Sequence, residues 1–361
     1  MILVSEHNNQ ELKQLIFDMC AVPTVSGFER RATERIRQIV GDRMEFVSSD
    51  GVGNVLFVKR CGREGAPKIL IDAHLDEIGM IVREVCDGGF LRVAPMGGID
   101  PAIMQASDVI IYGKQELRGV VVSTPPHLRS GEGELPDIDK LLIDTGLSKE
   151  KAVELIPLGT PVGFAPVYSE MLNERIVGKS FDDKACAACA LAGIASVDAK
   201  ALAGDVYLLF SAIEETNRLG GVTAATFSLL PDYAMVVDVN LARVPNTQKS
   251  ETVEMDKGIS ISVSAATHVA LTRATQKLCE DKGIEHSMVA APSSTGTNAT
   301  SVNLTAYGVP TVDIGLPLAS MHTYCEVISL RDCRTLSELV AQFVCSDEIA
   351  EQMKCGEVDI L

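Results

Sequence analysis

Lys68-Ile-Leu-Ile-Asp-Ala-His-Leu-Asp-Glu77 begins as a strand and ends in side chains that carry chemistry. Ile69-Leu70-Ile71 is a short β-branched run suited to a buried strand. In open α/β sheets, sites form beyond the carboxyl ends of such strands. His74 and Asp76 therefore mark one wall of a candidate site. Upstream, 9–21 and 28–42 carry apolar residues at helical spacing, and 55–59 reads as a further strand. Downstream the character changes at once. Short strand-like runs at 82–85, 90–93, 108–112 and 117–122 are separated by Gly-rich or charged turns, with few long helices between them. This predicts a compact β-rich insert over 78–164, with Gly131-Glu-Gly-Glu-Leu-Pro as an exposed loop tip.

After 164 the pattern returns to strands at 205–213, 233–237 and 309–315, with helices at 183–197, 267–282 and 336–353. Alternation of this kind implies an α/β fold, a mostly parallel sheet flanked by helices. Two domains are expected: 1–77 with 165–361 as the α/β domain, and 78–164 inserted into it.

Composition narrows the function classes. Of 361 residues, 46% are hydrophobic and 22% charged, which is globular. The net charge of −17 argues against nucleic acid, whose phosphates require a basic patch. No run approaches the roughly 20 apolar residues that span a bilayer, so no membrane partner is expected. The first ten residues lack a basic and an apolar signal region. Ten cysteines are scattered through a long chain, which fits free thiols in a reducing cytoplasm. Cys186-Ala-Ala-Cys189 has motif spacing but no second pair, and its small neighbours read as a helix packing face.

Four strand or loop ends carry carboxylate or imidazole: His74-x-Asp76, Glu214-Glu215, Asp238 and His322. Asp182-Asp183, just before a helix, is a fifth. Singly, each has an ordinary structural role, as a cap or a hydrogen-bonded histidine. Together they are acids following apolar runs directly, costly to bury unpaired, and a metal centre relieves the repulsion. The oxygen and nitrogen mixture suits zinc, cobalt or manganese.

These segments resemble the M42 metallo-aminopeptidases, the glutamyl aminopeptidase and TET group, over nearly the whole chain. The matching stretches include His74-Leu-Asp-Glu-Ile-Gly-Met, Pro95-Met-Gly-Gly-Ile, Thr124-Pro-Pro-His-Leu, Phe181-Asp-Asp-Lys, Glu214-Glu215, Val237-Asp-Val, Gly296-Thr297 and Met321-His-Thr-Tyr-Cys-Glu. The resemblance implies a phosphorylase/hydrolase-like catalytic domain and a PDZ-like barrel for dimerisation. It further implies two divalent cations, zinc or cobalt, one held by His74 and Asp238 and the other by Glu215 and His322. Asp182 would bridge them, Asp76 would orient His74, and Glu214 would be the general base. Peptides would be the substrates, and dimers would assemble into a hollow homo-dodecamer.

Insert placement separates this group from relatives resembling the M20 enzymes, which insert their extra domain before the final His. Here the long interval lies between His74 and Asp182. Three departures bear on substrate preference and cleft shape: Lys184 for the usual Arg, Thr-Asn-Arg-Leu at 216–219, and Asn298 for the usual Asp. Arg243 and Lys249 follow Asp238, where surface placement is the simpler expectation. Two other functions compete. One is an endoglucanase-like glycan hydrolase, disfavoured by a chain with no Trp and 4% aromatics. The other is a catalytically degenerate oligomeric shell.

Overall fold

The computed structural model of the chain describes residues 6–123, 138–216 and 220–354. The expected loop tip at 131–136, the 124–128 motif and residues 217–219 lie outside them.

Four strands run parallel side by side, in the order Asp205–Ser211, Lys68–His74, Tyr233–Leu241 and Thr311–Ala319. They form the middle of an eleven-stranded sheet. Apart from edge residues they are buried throughout, as parallel strands covered on both faces must be. The sheet is mixed rather than mostly parallel. Val55–Lys59 and Glu45–Ser49 extend one side antiparallel; Glu326–Ser329, Arg175–Gly178 and Ser169–Glu170 extend the other. Antiparallel neighbours need only a tight turn instead of a crossover helix. The turn after Glu45–Ser49 is one such, with the Asp50 carboxylate taking the amides of Val52, Gly53 and Asn54.

Helix Phe181–Ala195 lies between the sheet and helix Leu330–Val344, and is buried almost all round. Its run of alanine with Cys186 and Cys189 permits this close approach, and both cysteines are free, fully buried thiols. At Gly193 an added Cβ would stand 2.4 Å from the Ser337 carbonyl of the neighbouring helix, so nothing larger fits. The helix expected at 336–353 is two helices, Leu330–Val344 and Asp347–Lys354. Ser346 starts the second by accepting the Ile349 amide at its hydroxyl.

Between His74 and the return to the sheet at Ser169, six strands close into a barrel. These are Gly79–Val85, Leu91–Met96, Asp108–Tyr112, Glu116–Val121, Leu142–Asp144 and Pro161–Phe164. Met80, Val82, Leu91, Val109, Ile111 and Val162 belong to its separate core. Closure leaves no unpaired sheet edge.

Candidate active site

The parallel strands end on one side of the sheet, and the chemistry-bearing residues gather there. His74 is the last residue of its strand, Asp238 lies within Tyr233–Leu241, and Glu214-Glu215 follow Ser211 by three residues. Asp182 opens the buried helix, with a cis peptide bond to Asp183, and His322 lies three residues beyond Ala319.

Asp182 is central. Its Oδ1 is 3.0 Å from His74 Nε2, and its Oδ2 is 3.4 Å from His322 Nε2. His74 Nε2 lies 3.9 Å from Asp238 Oδ1, and His322 Nε2 lies 3.3 Å from Glu215 Oε2. Each imidazole thus shares a different oxygen of one carboxylate, and each has a further acid beside it. His74 Nδ1 is 3.0 Å from the carbonyl of Asp76 and 3.5 Å from its Oδ1. The Asp76 carboxylate also accepts the amides of Glu214 (2.9 Å) and Glu215 (3.1 Å), joining the His74 loop to the Glu214 turn.

Charge is unbalanced here. Burial first, then neighbouring acids, push Glu215, Asp183 and Asp238 well above the usual carboxylate range. Burial also opposes charge on Asp182, but His322 and His74 outweigh it and hold this carboxyl low. Burial disfavours a charged His74, yet Asp182, Asp76 and Asp238 raise it strongly; Asp182 is the main cause of the rise at His322. Asp183 Oδ1 is buried without a hydrogen-bond partner. Donor atoms of His74, Asp183 and Asp238, and those of His74, Asp182 and Glu215, each fall within 4.8 Å of one another. Clustered buried acids with two imidazoles fit divalent cations, which would remove the repulsion.

Several supporting residues gave no separate signal in the sequence. Glu326, buried, accepts the amides of Phe181 (2.7 Å) and Asp182 (3.2 Å) at one oxygen and of His322 (3.1 Å) at the other. Its only trace was an acid four residues after His322 at the head of an apolar strand. Glu77 receives Lys179, Ser180 and Lys184 at Oε2. Burial would raise Glu77, but Lys179 and Lys184 outweigh it and bring the carboxyl to about 2. Gly97 and Gly98, on the barrel, approach the site closely. A Cβ on Gly98 would stand 2.8 Å from His322 Nδ1, and one on Gly97 would stand 3.4 Å from Glu215.

Two of the departures lie beneath the site, not in its wall. Lys184 is fully buried on Glu77 and the Val22 carbonyl (2.7 Å). Asn298 is buried, donating to Asp72 (3.0 Å) and Ser211 (3.0 Å), because its loop folds under the strand ends. Arg243 is tied to Glu254 and Thr252, and Lys249 is exposed.

The family model of the M42 glutamyl aminopeptidases matches residues 53–339, a span that contains every one of these site residues. The chain belongs to the M42 family. Lysyl aminopeptidase of Pyrococcus furiosus is 30% identical over 321 residues, covering 86% of this chain and 90% of the relative. Among solved structures, aminopeptidase APDkam598 of Desulfurococcus kamchatkensis superposes with TM-score 0.88 at 28% identity, covering 97% of this chain and 99% of that one. The TET1 peptidase of Pyrococcus horikoshii, described as assembling into a tetrahedron or a large octahedral shell, gives 0.81 at 26%, covering 92% and 99%. A Thermotoga maritima protein named an endoglucanase gives 0.74 at 24%, covering 94% and 99%, and shows the fold alone. This M42 chain is a peptide hydrolase of the aminopeptidase type. No helix among the described residues is long and apolar enough to cross a membrane.

Proposed function

We propose that the cluster removes N-terminal residues from peptides with two divalent cations, zinc or cobalt. His74 and Asp238 would hold one, Glu215 and His322 the other, and Asp182 would bridge them. The observation that carries this is the division of Asp182, one oxygen toward each imidazole. When bound, such cations polarise a carbonyl and make a shared water acidic. Glu214, half-buried beside Glu215, takes a proton at its carboxylate from the attacking water and returns it to the leaving amine. Asp76 keeps His74 in one tautomer through Nδ1. The peptide's free amine is drawn to the surplus of carboxylates, which accounts for exopeptidase action.

Assembly deepens the selectivity. TET1 has also been solved as a dodecamer, and a shell built from dimers joined through the barrel would admit only short or unfolded peptides. Light scattering tests it: a monomer-sized particle excludes the shell. We assign the enzyme to the cytoplasm, consistent with cysteines that are all free among the described residues.

The decisive experiment strips the protein with chelator, reloads it with zinc or cobalt, and follows release from aminoacyl-p-nitroanilides, lysyl and glutamyl included. Activity should return with metal. E214Q should lose about 10²- to 10⁴-fold in kcat while keeping its metal. Release from no substrate, or an E214Q enzyme as fast as wild type, defeats the assignment.

A further inference from the structure

Four consecutive backbone amides lead into the site, and each is taken by a side-chain oxygen from a distant segment. Asn54 Oδ1 accepts from Ala212 (2.9 Å) and Glu29 Oε1 from Ile213 (3.0 Å). The two oxygens of Asp76 accept from Glu214 and Glu215. Side chains, and not a strand ladder, therefore set the shape of this turn. Within it Ile213 has φ +61°, the left-handed region, where a β-branched residue is a clear outlier. Such a backbone persists only where its surroundings over-determine it. Glu214 and Glu215 come next, so a relaxed Ile213 would swing both glutamates away.

Glu29 is placed to prevent that. It is fully buried, and its Oε1 is shared between the Ile213 amide and the Gly27 amide (2.9 Å). Its Oε2 is buried with no hydrogen-bond partner. The same N-terminal segment grips both sides of the site. Ser26 and Thr216 hydroxyls lie 2.8 Å apart. The Glu77 amide donates to Thr24 (3.0 Å), and the Ser26 amide to Glu77 (3.1 Å).

We propose that Glu29 is a positioning residue of the peptidase: it holds Ile213 left-handed so that Glu214 and Glu215 face the site. This rests on the roles assigned to Glu214 and Glu215 above. Glu29 acts as an acceptor and not as a charge. Both amides converge on one oxygen, so the carbonyl oxygen of a glutamine can take its place.

The test compares E29Q, E29A, E214Q and wild type, each saturated with the same metal, for kcat, KM, bound metal and thermal midpoint. E29A should lose about 10²-fold in kcat, the scale of a misplaced reacting group, with KM within about threefold. E29Q should keep kcat within about threefold, although its buried amide nitrogen lowers the midpoint. Activity and stability then separate, as a merely structural role would not allow. E29A as fast as wild type, or E29Q as slow as E29A, overturns the proposal. E214Q at wild-type kcat overturns instead the base assignment, and the positioning role falls with it, whatever the Glu29 variants do.

Discussion

Replacing Glu326 by Gln tests the support of Asp182 and His322 most directly. Glu326 accepts three amides, two at Oε2 from Phe181 and Asp182 and one at Oε1 from His322. A glutamine has one accepting oxygen. Turned to keep Phe181 and Asp182, it sets its NH₂ against the His322 amide, two donors face to face. Turned the other way, it abandons two amides. The less costly arrangement leaves the half-buried His322 amide unsatisfied, a loss of about 1 kcal/mol, the low end of the cost for a buried group. That loss falls on His322, whose backbone is itself left-handed at φ +60°, so its imidazole should drift from Asp182. Outer partners of this kind commonly change metal affinity by about 10- to 100-fold. Urea unfolding of the metal-free protein should register the first effect, and titration with zinc or cobalt the second. An unchanged urea midpoint together with metal affinity within about twofold of wild type would refute this account of Glu326.

Gly98→Ala pushes a methyl to 2.8 Å from His322 Nδ1; kcat should fall about 10- to 100-fold with little change in urea midpoint, and normal turnover would show that the imidazole can yield freely. Glu77 titrates near 2 when folded, against an ordinary 4.5. Because the folded value is the lower, its contribution of about 3 kcal/mol is complete above about pH 4.5 and disappears as pH falls toward 2. E77Q should therefore flatten the acid limb of stability against pH, and an unaltered limb would count against the ion cluster. Removing metal with chelator should lower the thermal midpoint as well as stop hydrolysis, since a ligand at 100 times its Kd stabilises by about 2.7 kcal/mol. A midpoint indifferent to chelation and re-addition would argue that these donors hold no cation.

Much of this molecule was legible along the chain because the signals are local. Apolar runs such as Ile69-Leu70-Ile71 mark strands that only a two-sided cover can bury, and acids placed directly after them mark the mouth of a site. The barrel was legible as short strands between turns. Strand direction at the sheet edges was not, because it depends on which neighbour a strand meets and not on its own residues.

The same limit governs the site. His74, Asp182, Glu215, Asp238 and His322 were visible as candidates, but which oxygen of Asp182 meets which imidazole exists only after folding. The roles of Glu29, Glu77 and Glu326 were not legible, because an acid that accepts backbone amides looks, in sequence, like any surface acid. Asn298 shows the converse, a motif position assigned by sequence to the cleft that folding placed beneath it. Sequence determines which groups can bear charge and which runs must be buried. Only the tertiary structure decides which buried charge faces which amide, since pairings such as Glu29 with Ile213 and Glu326 with Phe181 join residues more than a hundred positions apart.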